Sequence, residues 1–195
     1  MRPHFQSCFF PSFKIRNIPN IAAAAVLVSV TALSGMVAGY ATPAGATGVG
    51  PSGLPLPRYV SLKSSRVNMR VGPGREYKVQ WMYTKRGLPL EILQEYDNWR
   101  KVRDPEGDEG WILQSLLSGN RTVIVSPWAK GEANADVFMR SDPSENAAVR
   151  AKMEPGAMAE VSECINGWCR LKAQGVSGYV RQQTLWGVYP DESFD

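Results

Sequence analysis

From Arg58 onward the chain runs in short apolar and polar alternations, broken by Gly, Pro, Asn or Asp every eight to twelve residues. Successive side chains of a strand point to opposite faces, so such runs predict short, half-buried strands. The even spacing of the breaks predicts an all-β barrel or sandwich. No stretch sustains a helical period. The texture upstream is different. Residues 41–57 read ATPAGATGVGPSGLPLP, small and uncharged, a composition that predicts a flexible linker over 47–57. Residues 1–16 carry Arg2, Lys14 and Arg16 and no acid, and an uncharged run follows that is most apolar over 21–37. A basic start, an apolar middle and a small-residue exit predict a secretory signal peptide over 1–46. Ala44-Gly45-Ala46 fits the cleavage pattern, with Gly39-Tyr40-Ala41 as a weaker alternative. Left uncleaved, the apolar run is close to the roughly 20 residues that span a bilayer and would be an anchor, the one membrane contact expected. Either way the chain from residue 47 is exported, to a periplasmic or extracellular space.

The strand pattern occurs twice. Val67-Asn68-Met69-Arg70-Val71-Gly72-Pro73-Gly74 aligns with Val137-Phe138-Met139-Arg140-Ser141-Asp142-Pro143-Ser144. Gly87 and Glu91 align with Gly156 and Glu160, Asp97-Asn98-Trp99 with Asn166-Gly167-Trp168, and Gly110-Trp111-Ile112 with Gly178-Tyr179-Val180. The offsets are 70, 69, 69 and 68, so register slips only at loops. The repeat predicts two units, 58–124 and 125–190, followed by a tail, 191–195. Units of about 65 residues bury little core, and barrel closure suits that size because it removes exposed strand edges.

Charge and cysteines read differently once the signal is set aside. Beyond position 47 stand 19 Lys and Arg against 18 Asp and Glu, a net of +1. A nucleic-acid partner calls for a basic excess that this balance does not give, so none is expected. His4 and Cys8 belong to the signal, leaving no histidine and two cysteines, Cys164 and Cys169. Asn166-Gly167 between them is a two-residue hairpin signal. It pairs Ile165 with Trp168 and sets Cys164 opposite Cys169, within reach of a structural disulfide. Glu95 and Arg100 hold the same places in the first unit and predict a cross-strand ion pair. Metal binding would need ligands that the chain lacks, so neither a metal nor a cofactor is expected. The acidic run 104–109 does not have EF-hand spacing and reads as a solvated hairpin tip.

The first unit resembles the bacterial SH3 domain family. The residues that carry the resemblance are Asn68-Met69-Arg70-Val71-Gly72-Pro73, then Trp99-Arg100-Lys101-Val102, then Gly110-Trp111-Ile112. The second unit resembles it more distantly, with Phe138 for the Asn, Ser141-Asp142-Pro143 for Val-Gly-Pro, and Tyr179 for the closing Trp. The resemblance implies two tandem small SH3-like β-barrels and a non-catalytic recognition module of the cell envelope. It implies cell-wall peptide or glycan as ligand, or else an envelope protein that the two barrels clamp. Within the strand start, Met69 and Val71 are expected on one face and Arg70 on the other, and Gly72-Pro73-Gly74 as a tight turn with unusual dihedrals.

Six Trp and six Tyr lie beyond residue 47 and offer flat contact area for peptides or sugar rings. Trp99 and Trp168 recur and are expected in or near the cores. Tyr77, Trp81 and Tyr83 have no aromatic counterparts in the second unit, and with Arg70 and Trp111 they are the candidate ligand-binding residues. Trp128, Trp186 and Tyr189 are candidates for packing the barrels together. A hydrolase is disfavoured. Without histidine, Ser-His and Cys-His chemistry and histidine-bound zinc are excluded, and no carboxylate pair has an apolar setting.

Overall fold

The protein is described by a computed structural model over residues 48–132 and 135–194. The expected signal peptide, with His4 and Cys8, lies outside the described residues. Strands β1 (Gly48–Val49) and β2 (Pro55–Leu56) form a small hairpin. The first barrel follows as β3 (Arg58–Leu62), β4 (Val67–Arg70), β5 (Val79–Tyr83), β6 (Pro89–Tyr96), β7 (Trp99–Arg103), β8 (Glu109–Leu113) and β9 (Leu117–Ser118). The second is β10 (Thr122–Val125), β11 (Val137–Arg140), β12 (Val149–Met153), β13 (Met158–Ile165), β14 (Trp168–Ala173), β15 (Val176–Arg181) and β16 (Leu185–Trp186). The strand orders, β5-β4-β8-β7-β6-β3-β9 and β12-β11-β15-β14-β13-β10-β16, are the same topology twice. Among the described residues no helix is long and apolar enough to cross a membrane.

Alternation along these strands builds two separate cores. Val60, Leu62, Val67, Met69, Leu90, Ile92, Val102 and Ile112 fill the first. Val123, Val125, Met139, Val161, Leu171, Val180 and Leu185 fill the second. Each such side chain is worth about 1.5–3 kcal/mol of apolar burial. The expected unit boundary at 124/125 falls inside β10, which pairs with β13 and β16. The break therefore lies at 119–121, because the first strand of the second barrel opens on Thr122.

The Asn166-Gly167 turn has φ of 52° and 76°, both in the left-handed region that a two-residue hairpin needs. Ile165 pairs with Trp168 and Cys164 with Cys169, and the two cysteines are bonded. Glu95 pairs with Arg100 at the same place in the first barrel, with Arg100 Nε 3.2 Å from Glu95 Oε1. This ion pair is part of a larger network. Ser52 donates to the Glu95 carboxylate from its backbone N–H (2.8 Å) and its hydroxyl (2.7 Å), and Arg58 Nη2 donates at 2.7 Å. Residues 48–57, expected as a flexible linker, thus fold onto β6 because Ser52 caps a buried carboxylate. Burial alone would raise the Glu95 pKa. The Ser52 and Arg58 hydrogen bonds and the Arg100 charge outweigh it and pull the carboxyl down to about 2.

The second barrel covers the matching edge with its tail, where Phe194 and Cys164 exchange backbone hydrogen bonds of 2.9 and 3.1 Å. Between the barrels, the Tyr59 ring meets Trp186 edge-on at 5.1 Å and Tyr189 at 4.7 Å, while the Tyr189 hydroxyl donates to Glu91 at 2.9 Å. Arg121 grips the Glu192 carboxylate with both terminal nitrogens at 2.9 Å. Trp186 and Tyr189 do pack the barrels together. Trp128 does not, being 61% exposed.

Candidate functional site

The five candidates start from the ribbon of β4 and β5. β5 pairs with β4 on one side, and its other side is an edge without a partner strand among the described residues. Its sequence, Val79-Gln80-Trp81-Met82-Tyr83, places Trp81 (58% exposed), Met82 and Val79 at the surface. An exposed apolar edge invites pairing with another chain, and proteins usually guard it with charge. The second barrel does so: β12 reads Val149-Arg150-Ala151-Lys152-Met153. Lys152 pairs there with Asp136 at 2.7 Å, and Arg150 donates to the Ser177 carbonyl at 2.9 Å. The first barrel leaves the same edge open.

Arg70 ends β4, half-buried, directly across from Trp111 on β8. Its Nη1 donates to the Tyr77 carbonyl at 2.6 Å, tying the strand to the loop that follows. Tyr77 lies against Gly72, where any Cβ would collide with the phenol ring. Gly72 is needed for that space, and it is not among the residues with positive φ, so the unusual dihedrals expected of this turn are not what it supplies. Val71 also departs from expectation. β4 ends at Arg70 after an irregularity in its pairing with β5, and Val71 is exposed instead of sharing the face of buried Met69. Gly110 lets β8 approach Met69 and the Arg70 carbonyl closely, and Gly178 does the same for Met139 and Arg140. These two glycines position Trp111 and Tyr179 beside their arginines.

Tyr83 leaves the candidate set. It is 6% exposed, and its hydroxyl donates to Asp104 Oδ2 at 2.9 Å. Burial first, and then the Asp104 charge and hydrogen bond, push the phenol far above its ordinary pKa. Asp104 itself is buried, and its other oxygen accepts the backbone N–H groups of Glu106 and Asp108. The acidic run is therefore anchored at its first residue instead of being a wholly solvated tip. The counterparts of Tyr83 and Asp104 in the repeat, Met153 and Ala173, are apolar, so alternation alone predicts only the apolar version.

Sequence reasoning missed Tyr96. It is exposed at the end of β6, with its ring edge-on to Trp111 at 6.5 Å. The signal was its place just before the Asp97-Asn98 turn, where β6 and β7 carry it level with Trp99. Trp99 is half-buried, while Trp168 is buried beneath the Arg181 guanidinium at 4.3 Å. The site is thus an open surface carrying Tyr77, Arg70, Trp111 and Tyr96, with Trp81 on the neighbouring edge. A cleft of about 720 Å³ lies elsewhere and is lined by none of the five candidates. It is lined by Leu54, Pro57 and Tyr59 and by Tyr189 and Glu192 of the C-terminal segment. Among the described residues no cluster of carboxylates or cysteines is arranged to hold a metal.

The family model for the bacterial SH3 domain matches residues 63–119 and 133–187, one match in each barrel. The chain belongs to the bacterial SH3 domain family. It is 25% identical over 126 residues to "Putative N-acetylmuramoyl-L-alanine amidase YrvJ" of Bacillus subtilis, a match covering 63% of this chain and 24% of the relative. The chain therefore spans about a quarter of that relative's length. Among solved structures it is similar to NlpC2 from Trichomonas vaginalis at 14% identity, covering 67% of this chain and 48% of that one with a TM-score of 0.30. An NlpC/P60 family protein from Bacillus cereus is similar at 12% identity, covering 66% and 55% with a TM-score of 0.29. At those scores the two structures carry no argument about this protein. The two tandem bacterial SH3 repeats expected from the residues are present.

Proposed function

We propose that this protein is an exported, non-catalytic module that binds cell-wall peptide or glycan through the first of its two bacterial SH3 barrels. The observation that carries the reading is the open β4–β5 ribbon, where Tyr77 and Trp111 flank Arg70 and exposed Trp81 lies on the adjoining edge strand, while the matching strand of the second barrel carries Arg150 and Lys152. Similarity to a protein whose name is that of an N-acetylmuramoyl-L-alanine amidase, an activity directed at a cell-wall amino sugar, supports a wall ligand and an extracytoplasmic location. The site offers flat aromatic area and one guanidinium, which suits recognition of an extended ligand and supplies no paired acid and base for turnover. Retention of the purified protein on isolated sacculi tests this. Trp81→Ala should weaken retention about tenfold, the effect of removing an aromatic anchor from an interface, and Trp128→Ala should leave it unchanged. Equal retention of Trp81→Ala and the parent protein would overturn the reading.

A further inference from the structure

The second barrel shows what the first one lacks. Arg140 is placed as Arg70 is: its Nη1 donates to the Ala147 carbonyl at 2.9 Å, and it lies across from Tyr179 as Arg70 lies across from Trp111. Around Arg140, however, the protein provides its own acids. Glu145 approaches Arg140 Nη2 at 3.6 Å and accepts from Arg181 Nε at 2.6 Å, while Glu163 accepts from the Tyr179 hydroxyl at 3.1 Å. In the first barrel the corresponding residues are Arg75 and Gln94. The surface carboxylate that pairs with Arg140 in the second barrel is replaced in the first by a further positive charge.

The imbalance extends along the whole ribbon. Residues 66–85 carry Arg66, Arg70, Arg75, Lys78 and Lys85 against Glu76 alone. Among the described residues none of these five makes an ion pair, and neither does Glu76, which is exposed. The matching residues 136–155 hold three basic and four acidic side chains, two of the basic ones paired within the segment. Like charges gathered without partners are unfavourable to the folded chain and favourable to an anionic ligand. A guanidinium fork also matches a carboxylate in shape as well as charge.

We propose that the first barrel recognises the free carboxylates of cell-wall peptides, one of them taken by Arg70 where Glu145 serves Arg140 in the second barrel. The proposal rests on the wall-binding reading above. A peptide, and not a phosphate-bearing wall polymer, is favoured by the edge itself. β5 presents unpaired N–H and C=O groups beside Trp81, and a peptide has amides to meet them; a polyol phosphate chain has none.

The test measures binding of the purified protein to three preparations of sacculi. One is untreated, one is stripped of phosphodiester-linked polymers with hydrofluoric acid, and one has its carboxyl groups amidated with carbodiimide and methylamine. Untreated and stripped sacculi should bind equally, and amidated sacculi at least about tenfold more weakly. Arg75→Glu, in an exposed turn, installs the second barrel's carboxylate beside Arg70 and should cut binding to untreated sacculi by a similar factor, with Arg75→Gln losing much less. Full binding to amidated sacculi, or its loss from stripped sacculi, overturns the carboxylate inference and leaves the wall-binding reading standing. No binding to untreated sacculi overturns both.

Discussion

At the end of its longest hairpin the first barrel sets Glu95 opposite Arg100, and the second sets Cys164 opposite Cys169. The two solutions hold the same pair of strands by different physics. A disulfide of this short span acts mainly on the unfolded chain and needs nothing around it. A buried ion pair repays its desolvation only if every remaining donor and acceptor is met. The first barrel accordingly draws in Ser52 and Arg58 to complete the Glu95 carboxylate, and the Arg100 guanidinium finds the carbonyls of Asp97 and Trp99 and the side chain of Gln114. One barrel is closed by a bond, the other by a network that recruits the segment before it. The same contrast recurs on the ribbon, where the second barrel pairs two of its three basic side chains within the segment and the first, among the described residues, pairs none of its five.

Breaking the network should have the largest effect. Glu95→Gln leaves two mostly buried guanidinium groups without their counter-charge and should lower stability by about 3–5 kcal/mol in urea unfolding. Acid should reach the same network in the parent protein. Folding lowers the Glu95 pKa from an ordinary 4.5 to about 2, so its contribution is complete above about pH 5 and fades as pH falls from there towards 2. The loss should be about 3 kcal/mol, and the Glu95→Gln protein should lose correspondingly less over that range. Glu192 is also held below its ordinary value: burial opposes this, and the Arg121 hydrogen bonds win. Acid therefore loosens the C-terminal clamp as well, which is why the variant is needed to isolate Glu95. An unchanged acid slope in Glu95→Gln would show that the network does not hold the first barrel.

Reduction supplies the opposite probe. Replacing Cys164 and Cys169 together by Ser should cost about 2 kcal/mol, the chain-entropy value for so short a loop. Hydrogen exchange should place that loss in β13 and β14, with the amides of β6 and β7 keeping their protection. Equal loss of protection in both barrels would mean that the two hairpins are not separately secured.

The features legible in the sequence are those set by neighbours in the chain. Asn166-Gly167 fixes its hairpin by local dihedrals, and the offset of 69 carries the register to Glu95 and Arg100, so both cross-strand pairs can be read without coordinates. Ser52 could not be read that way. It is 43 residues from Glu95, in a stretch whose composition is that of a tether, and nothing local marks which hydroxyl meets a distant acid. Tyr83 misled for a related reason: an aromatic residue on an exposed edge strand looks like ligand surface until Asp104, 21 residues away, takes its hydroxyl into the interior. Net charge misled by averaging. A total of +1 beyond residue 47 conceals a basic ribbon in one barrel and a slightly acidic one in the other.

On the proposed reading the two barrels divide their roles, the first binding and the second serving as its structural partner. Nuclear magnetic resonance spectra of isotope-labelled protein titrated with soluble wall peptides test this most directly. Backbone amides of residues 66–85 and around Tyr96 and Trp111 should shift, with residues 136–155 unmoved. Shifts of equal size in 136–155, or confined to that segment, would contradict the reading.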